Sequence, residues 1–599
     1  MKRIYNLVIS IILVAWLSAC EDDYLDRVPE TDIGAERFFN TEEDLSIYIN
    51  NLYDFTDFDQ YNDDGGTDNA ATTGNTELKT MMVGSPSSAT ISAGWEWEDL
   101  RTINFFLENF GKADIPQNRL DHYEGLARFF RARFYVEKVK RYSDVPWYSK
   151  TITSNDEELL MQPRDPRTLV VDSIMADFQF AAENVSGDGR EGEVNAWVVK
   201  TYQARYALYE GTFRKYHPEL SLQESADTYL QTARNVAKDI MNNGGFALHT
   251  TGNSAEDYHQ LFISANLGSN PEVILVRAFE NELLNSDFSA TIFGNFEVSP
   301  TKDLLQSYLM ADGSYYTGLP DYETNLFVEE FQNRDPRLNQ TYAYPGWELI
   351  FTDTYSQGGG IYIQQLAKNF TGYHQIKGFV NDTDITVRNS IDVPILRFAE
   401  ILLTYAEAKA ELGELTQEDL DMTVNQLRDR AGMPNLTMNP PVDPIQAARY
   451  PNISSAQAAE LLEIRRERRI EFALEGYRMD DLMRWHAGSL LESEPEGLYF
   501  PELGNYDLTG DEVADIKLID ALESIPEERE VNELGEPLIY YRAGSFGQDA
   551  SLFLGNENSG TIQAIAERGT FIEPKYYYRP IPQSEVVLNP NLTQIFAWE

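Results

Sequence analysis

Apolar residues recur with a 3.6-residue period through both ends of this chain and lose that period in the middle. The scaffold must therefore be helical, and the middle must be carried by it. The period holds over 41–52, 100–110, 123–142, 166–184, 194–215 and 226–242, and again over 395–412, 417–430 and 456–486. Thr41 stands at an N-cap with Glu42, Glu43 and Asp44 in the first turn, where carboxylates complement the helix dipole. Pro146 stops the helix of 123–142, because a proline disfavours α backbone at the residue before it. Gly244 and Gly245 offer the positive φ of a C-cap. Ala204 and Ala207 in one helix, and Ala399, Ala406 and Ala410 in another, let antiparallel helices approach closely. The expectation is a mostly α fold of tetratricopeptide-like helical pairs. It carries a loop-rich, aromatic insertion of short strands at 245–390, with 272–279 as one strand.

Composition narrows the function. The 599 residues are 42% hydrophobic, enough for a large core. Lys and Arg number 48 against 97 Asp and Glu, a formal charge of −49. Such a field repels polyanions and excludes a nucleic-acid binder working by phosphate neutralisation. A single Cys excludes disulfide frameworks, thiolate zinc sites and CxxC redox chemistry within one chain. Lys2 and Arg3 precede an apolar run over 4–16 that ends in Leu17-Ser-Ala-Cys20, a secretory signal too short to span a bilayer. The last four residues resemble a bacterial lipobox, which implies that Cys20 becomes the lipidated first residue of the mature chain. No later stretch approaches 18 apolar residues, so acyl chains would be the only membrane attachment. The acidic run Glu21-Asp22-Asp23 resembles an export signal to the outer face of the cell in some Gram-negative lineages.

Five ordered motifs resemble one family. Pro394-Ile-Leu-Arg-Phe-Ala-Glu-Ile-Leu-Leu-Thr-Tyr-Ala-Glu-Ala408 is similar to the signature helix of the RagB/SusD family, outer-membrane nutrient-binding lipoproteins. Arg128-Phe-Phe-Arg-Ala-Arg-Phe-Tyr135 and Tyr142-Ser-Asp-Val-Pro146 resemble its early helix and stop, with Ser143 in place of the usual glycine. Asn425 to Gly432, Arg466 to Trp485, and Arg579 to Glu585 with Asn589-Pro590 resemble its later segments. The resemblance implies a non-catalytic binding protein that captures an oligosaccharide and delivers it to a SusC-like TonB-dependent transporter. A peptide ligand is the alternative within the family, and a glycoside hydrolase using two of the many carboxylates is the alternative outside it. The implied organisation is a signal peptide at 1–19, an acidic tether at 20–40, a helical part at 41–244, a variable ligand-binding part at 245–390 and a C-terminal part at 391–599.

The motifs themselves read as scaffold. Arg397, Glu400 and Glu407 lie in one helical pattern, with Arg397 and Glu400 at i,i+3. Arg468 and Glu471, Glu475 and Arg478, and Asp481 and Arg484 repeat that spacing. Ion pairs that lock helix packing are the expectation. The six histidines never occur at i,i+4, so there is no helical zinc pair, and neither a GxSxG elbow nor a phosphate loop is present. No cofactor is expected, with one candidate exception: the oxygen-rich stretch from Asp57 to Asp68 could wrap Ca²⁺, although it lacks EF-hand spacing. Sugars present apolar C–H faces and hydroxyl edges, so their sites pair aromatic platforms with polar side chains. In the family, glycans lie on loops. That directs attention to Asp68, Asn69, Asn75 and Lys79 in one loop and to Phe293, Asn295 and Phe296 in another. Trp95, Trp97 and Trp347 are further platforms.

Overall fold

The computed structural model describes residues 38–53, 59–187, 192–280, 283–294, 298–350 and 360–598. The helical periods become helices α1 (Glu42–Asn50), α2 (Glu98–Asn109), α3 (Gln117–Tyr142), α4 (Arg167–Asn184), α5 (Ala196–Tyr216) and α6 (Ala226–Asn243). They continue as α7 (Phe398–Glu411), α8 (Val424–Ala431), α9 (Ala458–Glu471) and α10 (Arg478–Arg484). Thr41 and Asp44 form a reciprocal capping box at α1. Helices α3, α4, α5 and α6 pack in sequence order, and α7 packs against α5, α6 and α9. The scaffold is thus a row of helices packed against their sequence neighbours, the mostly α, tetratricopeptide-like architecture expected. Close approach is built in: a Cβ on Gly211 of α5 would lie 2.9 Å from the Leu230 side chain of α6. Ala207, Leu208, Leu230, Ala233 and Ala408 pack together there.

Three periodic stretches are interrupted. Residues Val393–Arg397 form a strand, pairing antiparallel with Val273–Arg277, and the helix begins only at Phe398. Arg397 has extended backbone at φ −137° and is not on the helix as the spacing suggested. The stretch 456–486 breaks between α9 and α10, where Leu474 and Gly476 take φ of 63° and 81°. A Cβ on Gly476 would sit 2.2 Å from the Gln60 carbonyl oxygen, so this close approach requires glycine. The stretch 417–430 divides at Thr423 into Gln417–Asp421 and α8.

The C-terminal part is less irregular than its sequence suggests. Strands Gly504–Tyr506, Ile516–Asp520, Ile539–Gly544 and Leu552–Phe553 form a four-stranded mixed sheet. A second hydrophobic core gathers beneath it from Leu498, Ile516, Leu518, Tyr541 and Leu552, and joins Leu304, Leu305 and Tyr308 of the central part. Ser143, the departure from the family's glycine, takes φ 63° and ψ −83° at the end of α3 while fully buried.

Candidate functional site

A ligand-sized cleft forms where the loop before α2 is held against α3. Lys138 of α3 is buried, and its ammonium donates to the carbonyls of Gly94 at 2.7 Å and Glu96 at 2.6 Å. Burial pulls its pKa down to about 8, with Glu96 opposing the shift. One turn on, Arg141 donates to the Ala93 carbonyl and forms a bidentate pair with Glu77. The Tyr142 hydroxyl donates to the same Ala93 carbonyl at 3.0 Å. Gly94 must be glycine: its φ is 91°, and a Cβ would meet the Arg141 side chain at 2.5 Å. Two cations of one helix therefore fix the backbone on either side of Trp95.

That anchoring orients the aromatic wall. Trp95 meets Tyr142 edge-on at 4.8 Å and Trp97 at 5.3 Å, and Trp97 meets Tyr148 at 5.4 Å. Trp95 is 8% exposed; Trp97 and Tyr148 are half-buried. The three rings line a cleft of about 550 Å³ with Leu100, Ile152, Leu160, Met161, Leu588 and Leu592. Glu98, Arg101, Asn104, Lys150, Glu585 and Asn589 supply the polar lining. Asn104 donates to the Tyr148 and Lys150 carbonyls, which sets the position of that strip. Asn589 donates to the Gln162 carbonyl, and Asn591 to that of Met161, so the chain's last turns close the far wall. The site can hold a flat, amphipathic solute by ring contact and hydrogen bonds.

A second cavity, of about 480 Å³, lies between α3, α5 and the α9–α10 junction and is lined by Tyr202, Tyr206, Tyr209 and Tyr477. Many of its charged groups serve one another. Arg205 forms a bidentate pair with Glu400, Lys140 pairs with Asp480, and Arg468 with Asp481.

Several residues read from the sequence as ligand contacts lie elsewhere. Phe293 is 1% exposed, stacked between His374 and Phe379 at 4.1 Å to each, and is core rather than an exposed platform. Trp347 packs on the same ring at 5.8 Å and is 9% exposed. Both rings answer to the hydrophobic effect of the core they fill. Asn295 and Phe296, like Cys20, lie outside the described residues. Asp68 is buried and bidentate with Arg478 at 2.8 and 2.7 Å. Burial raises its pKa, but Arg469, Arg478 and Arg449 outweigh that and hold the carboxyl well below the usual range. Asn69 accepts from Arg469 and donates to Asp64. The Asp68 and Asn69 side chains are thus both spent on buried protein partners. Asn75 is exposed but outside the cleft lining, and Lys79 lies on the helix Glu77–Val83. Among the described platform candidates, Trp95 and Trp97 share a cavity. Tyr148, Ile152 and Asn589 carried no signal in spacing, because the wall is assembled from segments about 50 and 490 residues beyond the tryptophans.

The charged motifs form a buried lattice with partners other than those at i,i+3. Arg397 donates to Glu272, Glu471 and Glu475, not to Glu400. Glu471 accepts from Arg337, Arg397 and Arg430. Glu475 also pairs with Lys377 at 2.6 Å, leaving Arg478 to Asp68. Arg468 turns to Asp481 rather than to Glu471. Asp481 does pair with Arg484, which is also bidentate with Glu407. Glu407 further accepts from the Trp485 indole at 2.7 Å.

Known proteins agree with this architecture. The sequence model of the SusD family matches residues 284–598, more than half of the chain. SusD-like protein P2 of Formosa agariphila is 23% identical over 514 residues, covering 80% of this chain and 90% of that protein. A SusD-like protein from Bacteroides fragilis superposes with a TM-score of 0.66 at 21% identity, covering 95% of this chain and all of that one. A SusD-like carbohydrate binding protein from the same species superposes at 0.65 with 23% identity, covering 93% of this chain and all of that one. The helical scaffold, the ordered motifs and the family match together make this chain a member of the SusD family.

Proposed function

We propose that this protein is a lipid-anchored, non-catalytic binding protein of the cell surface. It captures an oligosaccharide in the Trp95–Trp97–Tyr148 cleft and delivers it to a TonB-dependent outer-membrane transporter. The observation that carries the reading is the cleft itself: three aromatic rings, two of them on a loop held by buried Lys138 and half-buried Arg141, beside amide and charged side chains. Such a pairing suits the two faces of a sugar. A SusD-like relative of the same fold is a carbohydrate binding protein, which supports the ligand class. Anchoring rests on Cys20 and its preceding motif; among the described residues no helix is long and apolar enough to cross a membrane.

Affinity electrophoresis against a polysaccharide panel, with analysis of products, tests the proposal. The expected result is retardation by at least one glycan class and no cleavage. Trp97→Ala should weaken that binding by roughly ten- to a hundredfold, the loss of about 1–3 kcal/mol from one stacked ring. Full affinity in the folded variant would remove the cleft from the site, and released sugars would make the protein a hydrolase.

A further inference from the structure

We infer that His217, Glu219 and His486 form a binding site for a divalent transition metal of the zinc class. One ligating atom from each lies within 4.8 Å of the other two. His217 ends α5, Glu219 follows on a single 3-10 turn, and His486 comes just after α10 with φ 52°. The three converge only in the folded chain, which is why no histidine spacing in the sequence announced them.

The hydrogen bonds around His217 make the case. Its ring is fully buried, stacked on Phe213 at 3.7 Å and edge-on to Tyr577 at 4.6 Å, so it cannot turn freely. Nε2 lies 2.8 Å from the Met483 carbonyl oxygen. A carbonyl only accepts, so Nε2 carries the hydrogen and the neutral ring leaves Nδ1 with a bare lone pair. That lone pair lies 2.8 Å from Glu219 Oε1, which is itself an acceptor and already receives the Tyr578 hydroxyl at 2.8 Å. Two lone pairs facing at this distance need a positive charge beside them. A proton would create a buried imidazolium; a metal ion satisfies both atoms and leaves the ring neutral. The Nε2–H···O=C bond is the outer-shell contact that commonly fixes a metal-binding histidine in its tautomer.

The donor set selects the metal. Two imidazoles and one carboxylate suit zinc, copper or nickel, whereas Ca²⁺ and Mg²⁺ want oxygen alone. Tetrahedral bonds of about 2.0–2.1 Å require ligand atoms about 3.3 Å apart, so the Nδ1–Oε1 pair opens by a few tenths of an ångström. Glu219 can move that far, since its side chain is 14% exposed. His486 is 19% exposed and has Glu573 Oε1 at 3.6 Å from Nδ1, so the cluster has a path to solvent and a carboxylate behind the second imidazole. The bound ion would clip the end of α5 to the end of α10, where Tyr577 and Tyr578 already pack.

The test uses the full chain without an affinity tag, stripped with chelator and titrated with zinc chloride by calorimetry. The expected result is one saturable site per chain and a rise in melting temperature with zinc but not with calcium. Glu219→Gln and His486→Gln, both at partly exposed positions, should weaken zinc binding at least about tenfold and abolish the thermal shift, with circular dichroism unchanged. Should one variant fail to fold, the other decides. No saturable zinc binding by the wild type, or wild-type affinity in a folded variant, overturns the assignment.

Discussion

Removing the Glu471 carboxylate should destabilise the protein more than removing any surface acid. Its Oε1 receives Arg397 at 2.6 Å and Arg430 at 2.7 Å; its Oε2 receives Arg430 at 2.7 Å and Arg337 at 3.1 Å. The side chain is fully buried, and so are the three guanidinium groups. In Glu471→Ala, Arg397 keeps Glu272 and Glu475, Arg337 keeps Asp335 and Glu467, and Arg430 keeps Glu272 alone. The lattice then holds one uncompensated positive charge away from water. Breaking a buried pair in this way costs about 3–5 kcal/mol, a large share of the roughly 5–15 kcal/mol that holds a typical domain folded. The matched control is Glu414→Ala, whose exposed pair with Arg234 contributes at most about 1 kcal/mol. Urea unfolding followed by tryptophan fluorescence measures both, and affinity electrophoresis follows the glycan. The expected result is a strongly lowered midpoint for Glu471→Ala, little change for Glu414→Ala, and unaltered glycan affinity in both folded proteins. Equal midpoints for the two variants would refute the view that the lattice acts as scaffold, and lost binding at an unchanged midpoint would make it part of the site.

Other outcomes follow from the same geometry. Ser143→Gly should raise stability by up to about 1 kcal/mol, because a non-glycine residue at φ 63°, ψ −83° is strained by about 1–3 kcal/mol and glycine gives part of that back in chain entropy; a lower melting temperature would contradict it. Acid should unfold the protein over a defined window. Burial raises the Glu407 pKa, but Arg484, Arg468 and Arg465 outweigh it and bring the value from 4.5 down to about 2. A depressed folded-state pKa gives stability that is present above 4.5 and lost as pH falls toward 2. Glu471 and Asp68, also held below the usual range, act in the same direction. The urea midpoint should therefore be flat from pH 7 to 5 as far as these groups govern it and fall below about 4.5, and a flat profile to pH 3 would count against the lattice. Cys20→Ala should release the protein from membranes, and recovery of the variant in a carbonate-washed membrane fraction would remove the lipid anchor.

Helices were legible where local chemistry decides them. Thr41, Pro146 and Gly244-Gly245 bracket elements close to where the chain folds them, because caps and stops act within one turn. Arg397 was misread because strand pairing with Val273 lies over 120 residues away, and such pairing overrides a local 3.6-residue period. Three of the four i,i+3 ion pairs failed in the same manner, and Asp481–Arg484 alone formed: the spacing names the neighbours on one helix, while buried charges choose whichever partner the packing brings. In the site, Trp95 and Trp97 were visible as aromatic candidates, yet Phe293 and Trp347 looked equivalent. Only burial separates a ring that fills a core from one that lines a cleft, and burial is a property of the whole fold.

The closing of the chain on itself sets an order of events. Arg568 donates to the carbonyls of Gly66 and Thr67, Arg579 to Glu77, and Tyr576 to the Met81 carbonyl, each across roughly 500 residues. Asp68 and Arg478 are 410 residues apart. During synthesis the early segment around Asp68, Leu78 and Met81 has helices to join but not the covering that finally seals it. Its bonds to Arg568, Tyr576 and Arg579 can form only once those residues have been made. Contacts of such long range slow folding, and the waiting intermediate is exposed to misassembly. The stretch around 568–579 thus acts as a latch on the stretch around 66–81, and a chain clipped near residue 565 should lose order around 66–81 before it loses order at its new end.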